Sequence, residues 1–264
     1  MAPPGGVMTM DLEGNRILWT QFILAAALAR TARGLLERAP ADRSEVEVCY
    51  ADTHAGSGHL PPPAALDRVL AARSEFTSRV FHDAVADRDG FYPGSWLLAG
   101  RAVGALDEPR LALEIDVNDI DEAVIRAART NREGGWVRFW SHDWFQFLKS
   151  RLAMQRRPGF VFIDPPPDDP RGPGYAIDAA ILLDTMAVPY MVTYPVDSPQ
   201  EPIDQIGRSG LELHGSILGY GALLGGGAEA VVLDVLPDLR RLAALLGGEF
   251  TIRLPRATGD DYCI

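Results

Sequence analysis

Hydrophobic residues follow two different spacings along the chain, and the spacing changes several times. In residues 15–37 apolar side chains recur every three or four positions, which predicts a helix. Residues 46–51 form a short apolar run that predicts a strand, and helix-like and strand-like segments alternate from there onward. The further predicted helices are 96–106, 120–130 (with its N-cap at Asn118 or Asp119), 144–154 and 175–186, and the further predicted strands are 111–115, 137–140, 160–163 and 190–194.

Two parts of the chain depart from this alternation. Residues 61–90 begin with three prolines and continue with a helical pattern, so we interpret them as a helical insertion and not as a separate domain. Two apolar runs, 211–218 and 230–236, are joined by a glycine-rich turn and predict an antiparallel pair of strands. The remaining predicted elements are a short helix near Ile203, a helix at 239–246 and an edge strand at 250–254.

This order of elements predicts one α/β domain spanning residues 1–264. Strands that alternate with helices form a mostly parallel sheet covered by helices on both faces, here with seven strands of which the last two form a hairpin. Ligands in such sheets bind at the carboxyl ends of the strands, near the point where the strand order reverses. Side chains that directly follow a strand are therefore the candidates for function.

The composition excludes some classes of protein. With 47% hydrophobic and 23% charged residues, the chain is typical of a globular protein, and its net charge of −11 is unlike the basic surface of most nucleic-acid binders. Cys49 and Cys263 have the spacing of neither a metal site nor a disulfide framework. The apolar stretch 17–29 is too short to span a bilayer, and residues 1–10 lack the features of a signal peptide. We therefore expect a cytoplasmic protein with no metal and no membrane partner.

The first strand runs directly into a glycine-rich loop, Asp52-Thr53-His54-Ala55-Gly56-Ser57-Gly58. Glycines at Gly56 and Gly58 permit a tight turn and let the backbone approach a ligand closely. Two histidines and an aspartate in this region, His54, His59 and Asp52, are of types that bind metals, but a ligand-binding loop accounts for them better.

Single acidic residues follow the next two predicted strands. Glu114 lies at the end of the strand 111–115, where a carboxylate can accept hydrogen bonds from both ribose hydroxyls of an adenosine ligand. Asp143 follows the strand 137–140 and is placed to meet the adenine edge. It is equally well placed to act as the N-cap of the helix that begins at Trp144, and the two roles are compatible.

The most specific motif is Asp164-Pro165-Pro166-Pro167, which ends the apolar strand 160–163. In the methylation of amino groups, a carboxylate and the carbonyl that follows it accept hydrogen bonds from the acceptor NH2, which directs the nitrogen lone pair toward the methyl sulfonium. Asp164 and the Pro165 carbonyl are predicted to do this, and the prolines stiffen the loop by fixing φ. Pro166 and Pro167 are then expected to face the acceptor.

Together these residues predict S-adenosylmethionine as the cofactor and a Rossmann-like fold of the class I methyltransferases. The chain resembles the RlmJ-type adenine-N6 methyltransferases of 23S ribosomal RNA, from Gly14-Asn15 to residues 236–239. The resemblance rests on the loop 52–58 and on Tyr92-Pro93-Gly94-Ser95, Leu113-Glu114, Asp164-Pro165-Pro166 and Tyr194-Pro195. It implies that the cofactor site is lined by His54, Ser95, Glu114, Asp143 and Asp164.

The chain departs from that family mainly where the substrate binds. Pro167 stands where the family has an aromatic residue that stacks on the target base, and Gln21-Phe22 stands where it has Lys-His. Trp144 replaces a glycine, the basic N-terminus is missing, and Asp168 and Asp169 would repel phosphate. The first hypothesis is methyl transfer to an amino nitrogen, with adenine N6 of ribosomal RNA as the first candidate. The alternatives are a small-molecule methyltransferase and a non-catalytic protein that binds S-adenosylmethionine.

Overall fold

A large sheet forms the centre of the protein in a computed structural model that describes residues 11–86, 90–166, 169, 171–196, 206–215 and 219–254. The strands of this sheet are β1 (Val46–Asp52), β4 (Leu111–Asn118), β5 (Trp136–Trp140), β6 (Phe160–Ile163), β7 (Tyr190–Pro195), β8 (Gly210–His214), β9 (Gly219–Gly225) and β10 (Glu249–Arg253). A separate two-stranded ribbon pairs β2 (His59–Leu60) with β3 (Tyr92–Pro93). The helices are α1 (Leu12–Arg38), α2 (Leu66–Ala71), α3 (Val80–Ala86), α4 (Ser95–Gly104), α5 (Glu122–Thr130), α6 (Trp144–Leu152), α7 (Gly172–Thr185) and α8 (Val232–Leu246), with short 3-10 helices at Arg73–Glu75 and Ala228–Val231.

The strand order in the sheet is β10-β8-β9-β7-β6-β1-β4-β5. The five strands from β7 to β5 are parallel, whereas β9 is antiparallel to β7 and β8, and β10 is antiparallel to β8. This confirms the predicted α/β fold, with eight strands in place of seven because β10 joins the edge. The chain builds β4 and β5 on one side of β1 and then crosses to build β6 and β7 on the other. The strand order therefore reverses between β1 and β6, where such folds bind ligands.

Helix α1 is the central helix of one face of the sheet. Asp11 caps its first turn by accepting a hydrogen bond from the Gly14 amide at 2.9 Å. Residues 18–29 are buried all round because the insertion and α4 cover the side of the helix that the sheet leaves open. The helix runs from Leu12 to Arg38, slightly longer than the predicted 15–37.

The insertion at 61–90 packs into the same core as the sheet. Its described part carries α2, α3 and the 3-10 helix between them. Phe22 of α1 packs against Phe76 and Phe81 with ring centroids 5.5 Å from each. Asp238 of α8 accepts hydrogen bonds from the insertion's Thr77 amide at 2.8 Å and Ser78 amide at 2.7 Å. The insertion therefore links α1 to the C-terminal helix.

The predicted hairpin was wrong in its second strand. Residues 230–236 lie in helical structure, and the partner of β8 is the glycine-rich β9. The glycines are required because tyrosine rings of β7 lie over them: a Cβ on Gly221 would lie 2.2 Å from Cζ of Tyr194. Glycines that usually indicate a turn here make room for a packed ring, so the sequence pattern pointed to the wrong segment.

Smaller corrections concern boundaries near the candidate site. Strand β4 extends to Asn118, three residues beyond the predicted end, and the N-cap of α5 is Asp121, not Asn118 or Asp119. The other predicted helices and strands of the alternating region are confirmed, with ends shifted by up to three residues. The short helix predicted near Ile203 lies outside the described residues.

Ala187 at the end of α7 is expected to cost stability. Its φ of 51° lies in the left-handed region that favours glycine, and its side chain is exposed. Ala187→Gly is expected to raise the free energy of unfolding by about 0.5–1 kcal/mol, measured by urea denaturation. Asp107, with φ of 50°, is the control, because aspartate tolerates this conformation better and Asp107→Gly should gain less. Equal gains at both positions, or a loss at 187, would contradict this account.

Candidate functional site at the carboxyl edge of the sheet

Polar residues that follow β1, β4, β5 and β6 meet at one edge of the sheet. Asn118 ties three of these ends together: its side-chain amide donates to the Thr53 and His142 carbonyls at 3.1 Å, and its oxygen accepts from the His142 amide at 3.1 Å. The Thr53 amide donates to the Phe162 carbonyl at 3.1 Å, which adds the end of β6. The predicted site residues His54, Ser95, Asp143 and Asp164 all lie around this junction.

Asp52, at the end of β1, is a buried acid that makes no ion pair with any described residue. Its carboxylate accepts hydrogen bonds from the Tyr50 hydroxyl at 2.9 Å, from the Ser95 hydroxyl and from the His54 amide at 3.3 Å. Complete burial raises the pKa of Asp52 to about 7, although the Ser95 and Tyr50 hydroxyls oppose the shift. Ser95 thus reaches the site through Asp52. The sequence analysis did not assign a role to this acid.

The titration of Asp52 predicts a pH-dependent stability. Because its pKa is raised on folding, the folded state binds an extra proton between about pH 4 and about pH 7, so this residue's contribution falls as the pH rises through that range. The free energy of unfolding of Asp52→Asn, relative to the natural protein, should therefore rise by up to about 1.4 kcal/mol per pH unit between pH 5 and 7. Denaturant titrations at several pH values measure this difference. A difference that is flat across the range would show that Asp52 is ionised when folded.

His54 has one ring nitrogen bonded and the other unpartnered. Its Nδ1 lies 2.8 Å from the Thr53 hydroxyl, which itself donates to the Phe162 carbonyl at 3.1 Å. We assign the hydroxyl proton to the Phe162 carbonyl, so that Nδ1 carries the imidazole proton and Nε2 is left as an acceptor. Nε2 is buried and has no hydrogen-bond partner among the described residues. Burial lowers the pKa of His54 to about 4, so the ring is neutral at physiological pH.

The two loop glycines have different roles. Gly56 has φ of 61°, and a Cβ there would meet nothing within 4 Å, so its outer face is open. Gly58 has φ of 87°, and a Cβ would lie 2.5 Å from Cζ2 of Trp96. Gly58 is therefore needed for packing inside the protein, and Gly56 is the glycine that faces free space.

Glu114 does not lie at a strand end. It precedes Asn118, the last residue of β4, by four positions, so it lies about 13 Å back along the strand. Its carboxylate is paired with Arg138 at 3.1 Å and Arg156 at 3.2 Å. The acid that follows β4 is Asp119, whose carboxylate accepts the Gly56 amide at 3.2 Å. The predicted strand end at residue 115 was wrong, because β4 continues through Asp116, Val117 and Asn118.

Asp143 caps α6 by accepting hydrogen bonds from the Phe145 amide at 3.1 Å and the Gln146 amide at 3.0 Å. This confirms the N-cap role, and the adenine-edge role stays a prediction. Trp144, the next residue, is 6% exposed and packs against His54 with ring centroids 5.2 Å apart. Its indole Nε1 is buried without a partner in the part of the chain that the structure describes. The indole of Trp144, with its unpartnered donor Nε1, thus packs against the imidazole of His54, whose acceptor Nε2 is also unpartnered.

Asp164, at the end of β6, is already bonded on both carboxylate oxygens. Nη1 of Arg16, from the first turn and a half of α1, lies 2.7 Å from Oδ1 and 2.9 Å from Oδ2. The Thr193 hydroxyl of β7 also donates to Oδ1. Burial lowers the pKa of the Arg16 guanidinium, but the Asp164 and Glu13 carboxylates outweigh burial and raise this pKa above its ordinary value. Sequence reasoning missed Arg16 and Thr193, because neither follows a strand or belongs to a motif.

The loop after Asp164 encloses little space. Arg16, Thr20, Asp164, Pro165, Thr193 and Tyr220 are among the residues that line a cavity of about 10 Å³ there. The loop turns through a hydrogen bond from the Asp169 amide to the Pro166 carbonyl at 3.1 Å, and Pro166 is exposed. Pro167 lies outside the described residues. Any ligand larger than a water molecule would therefore need movement of the surrounding side chains, Arg16 among them, before it could contact Asp164.

The charge around His54 is negative. Asp164, Asp119, Asp169 and Asp143 all act electrostatically on its ring. No group of three or more metal-ligating side chains occurs among the described residues. Among the helices in the described ranges, none is both long enough and apolar enough to cross a bilayer. The edge therefore offers carboxylates and neutral polar groups to a ligand.

Comparison with known proteins supports the fold. No protein-family model and no curated protein matches the chain. Protein LPL1258 from Legionella pneumophila, described with the family model DUF519, superimposes with a TM-score of 0.69 at 15% identity over 90% of this chain and 98% of its own. The two chains thus share a fold.

Two further solved structures are less similar. The candidate methylase HI0767 from Haemophilus influenzae (TM-score 0.35, 15% identity, 73% of this chain and 86% of its own) is too weakly similar to support an argument. The same holds for the candidate methyltransferase YhhF from Escherichia coli (TM-score 0.37, 18% identity, 74% and 85%).

Proposed function

We propose that this protein binds S-adenosylmethionine at the carboxyl edge of its sheet and transfers the methyl group to an amino nitrogen. The observation that carries the proposal is the position of Asp164-Pro165-Pro166 at the end of β6, across the strand-order reversal from the glycine loop that follows β1. The strand order, with an antiparallel hairpin after the parallel strands, is the one expected of class I methyltransferases.

The polar groups at this edge fit an adenosine-type cofactor. The acceptor Nε2 of His54 and the donor Nε1 of Trp144 are both buried without partners in the described ranges. Other buried side chains in the described ranges also carry unpartnered atoms, and what distinguishes these two is that they lie in rings packed against each other at the edge. An adenine edge presents a donor and an acceptor side by side and would satisfy both. Asp119 replaces Glu114 as the proposed partner of the ribose hydroxyls, and the open face of Gly56 leaves room for the chain of the cofactor.

Asp143 and Ser95 are proposed to support this site. The second oxygen of Asp143 is the candidate for contact with the cofactor, since Oδ1 accepts both helix amides. Ser95 acts indirectly by donating to Asp52 at the end of β1. Gly58 fixes the loop by packing against Trp96.

S-adenosylmethionine supplies an electrophilic methyl group, so the protein has to position the acceptor nitrogen and keep its lone pair free. We propose that the Asp164 carboxylate and the Pro165 carbonyl accept the two N–H bonds of the acceptor, which leaves the lone pair directed away from the loop. Holding an acceptor in a near-attack position contributes much of the rate in such reactions. Arg16 now occupies the carboxylate, so its guanidinium must leave before the amine binds.

The acceptor is best described as a small amine. The carboxylates of Asp164, Asp119, Asp169 and Asp143 all act on the His54 ring. Arg16 and Arg171 are paired with two of them, and the other two, Asp119 and Asp143, disfavour phosphate. Adenine N6 of ribosomal RNA, which the family resemblance suggests, is the second acceptor to test. Pro166, and Pro167 next to it, are proposed to contact the acceptor, and neither proline supplies the flat surface on which a base stacks.

One observation favours a second function, non-catalytic binding of the cofactor. Asp164 already accepts three hydrogen bonds from Arg16 and Thr193, so in this conformation an amine has to compete with them for the carboxylate. A protein that senses S-adenosylmethionine has no need of a free carboxylate. The functions are distinguished by mixing the protein and labelled S-adenosylmethionine with deproteinised ribosomal RNA and, separately, with a metabolite extract. Label in a metabolite supports methyl transfer to a small amine, and label in RNA supports methyl transfer to adenine. Binding of the cofactor without transfer of label supports the non-catalytic function.

The cofactor proposal predicts a specific pattern of affinities. Asp119→Asn is expected to weaken binding of S-adenosylhomocysteine about tenfold or more, because it removes a charged hydrogen-bond acceptor. Glu114→Gln is the matched control and should bind as the natural protein does, since Glu114 lies well back along β4. Isothermal titration calorimetry measures both. Folded protein that binds neither S-adenosylmethionine nor S-adenosylhomocysteine would overturn the proposed function.

A further inference from the structure

A cavity of about 1060 Å³ lies at the amino edge of the sheet, opposite the candidate methyl-transfer site. Its floor is formed by the segments that enter two parallel strands, 158–159 before β6 and 187–189 before β7. Its walls are the C-terminal half of α1, the insertion segment 77–80 and the turn 226–231. The volume is at the upper end of the range for small-molecule sites, about 300–1000 Å³. Nothing in the proposed methyl transfer uses this cavity.

Arginines line this cavity although the chain as a whole carries a net charge of −11. They are Arg30, Arg33, Arg38 and Arg79. Arg30 is paired with Asp234, whereas the other three make no ion pair within the described ranges. The lining acids are Asp234, which is paired, and Glu37. The cavity thus concentrates positive charge in an acidic protein.

The shape of α1 directs one of these side chains into the cavity. Arg30, Gly34 and Arg38 follow each other at intervals of four residues and so share one face of the helix. Gly34 has no side chain, and Nη1 of Arg38 lies 3.6 Å from the point where its Cβ would be. The Arg38 guanidinium therefore lies back along the helix surface toward Arg30, beside Gly34, which lines the cavity.

The lining recognises anionic groups and not bases. A guanidinium binds phosphate in a bidentate manner, and the hydroxyls of Thr77 and Ser78 can donate further hydrogen bonds. None of the described lining residues is aromatic, so the cavity offers no ring on which a base could stack. Many of the lining residues are alanine or glycine, which leaves space for a bulky group.

We propose that this cavity binds a small ligand with two phosphate groups, held by Arg33, Arg38 and Arg79. Each phosphate carries about 1.5–2 negative charges near neutral pH, so two of them match the three unpaired arginines, while Glu37 is the lining carboxylate that the ligand must avoid. Walls from α1, the insertion and the loops enclose the cavity on several sides, which suits a small ligand better than a nucleic-acid duplex. The site is separate from the carboxyl edge and does not depend on the proposed methyl transfer.

Titration of the full chain with inorganic pyrophosphate tests this site. Arg33→Gln and Arg79→Gln are each expected to weaken binding about tenfold, and added salt should weaken binding to the natural protein. Arg132→Gln, at an exposed arginine that does not line the cavity, is the matched control and should leave affinity unchanged. Thermal unfolding and S-adenosylhomocysteine binding of each variant show that the fold and the other edge are intact.

Three results would overturn the proposal. They are an absence of pyrophosphate binding at low salt, an equal loss of affinity in Arg132→Gln, and tighter binding of a short RNA duplex with the same dependence on Arg33 and Arg79. Binding of pyrophosphate that responds to Arg33 and Arg79 alone supports it. Failure of cofactor binding at the carboxyl edge would leave this result unaffected.

Discussion

Methyl transfer by an Asp164→Asn variant is expected to fall at least about a hundredfold, with little change in affinity for S-adenosylmethionine. The amide keeps the size of the side chain but offers one acceptor oxygen, and its own NH2 opposes the N–H bonds of the acceptor. Loss of one preorganised electrostatic group at a reacting centre commonly reduces the rate about 10²–10³-fold. Single-turnover rates with labelled cofactor, on the acceptor that takes label, measure the effect.

The control for this prediction is Asp169→Asn, in the same loop. It removes an equal charge from the mouth, so it separates a general electrostatic effect from a specific contact. Its rate should stay close to that of the natural protein. An Asp164→Asn variant that turns over normally would remove this carboxylate from the mechanism, and equal losses in the two variants would point to the charge of the mouth instead.

An Arg16→Met variant is expected to bind the acceptor about tenfold to a hundredfold more tightly, seen as a lower KM. Arg16 now competes with the acceptor for Asp164, and hydrogen bonds to charged groups contribute about 1.5–3 kcal/mol. Methionine keeps the apolar length of the side chain, and Thr193 continues to hold the carboxylate. Steady-state kinetics on the same acceptor, with kcat and KM determined separately, measure the change.

Glu13→Gln is the matched control for Arg16. It removes the other partner of the guanidinium, a contact of 2.6 Å, and leaves the pair with Asp164 in place, so KM should not fall. A lower kcat at unchanged KM in Arg16→Met would contradict the competition and make Arg16 a positioning residue. Amine methylation that appears only in Arg16→Met would support the non-catalytic function for the natural protein.

The sequence predicted the parallel half of the sheet well and its antiparallel end poorly. Apolar strands such as β6 are buried on both sides and stand out from their surroundings. In β9, however, glycines accommodate the rings of Tyr190 and Tyr194, and this pairing is a tertiary contact that spacing along the chain does not show. The extension of β4 to Asn118 was missed for a similar reason. Its buried polar residues are satisfied by partners on other elements, such as Arg151 of α6 for Asp116 at 2.8 Å.

The candidate site was predictable where it follows strand ends and not elsewhere. His54, Asp143 and Asp164 were found because they follow strands, and a parallel sheet brings such positions together. Asp52 was overlooked because its unusual protonation depends on burial, which the sequence does not report. Arg16 reaches Asp164 across 148 positions of sequence, and a lone arginine in an amphipathic helix gives no sign of that contact.

The first turns of α1 join parts of the chain that are synthesised far apart in time. Asp11 accepts the amide of Ala64 at 2.9 Å, Arg16 holds Asp164, and the Asn15 side chain donates to the Leu246 carbonyl at 3.2 Å. The sequence separations are 53, 148 and 231 residues. Contacts of such high order form slowly, since a long loop must close before they are gained. During synthesis the Asp164 loop therefore leaves the ribosome well before α8, which contacts α1 through Leu246. The helix whose Arg16 binds Asp164 thus gains that contact only at the end of synthesis.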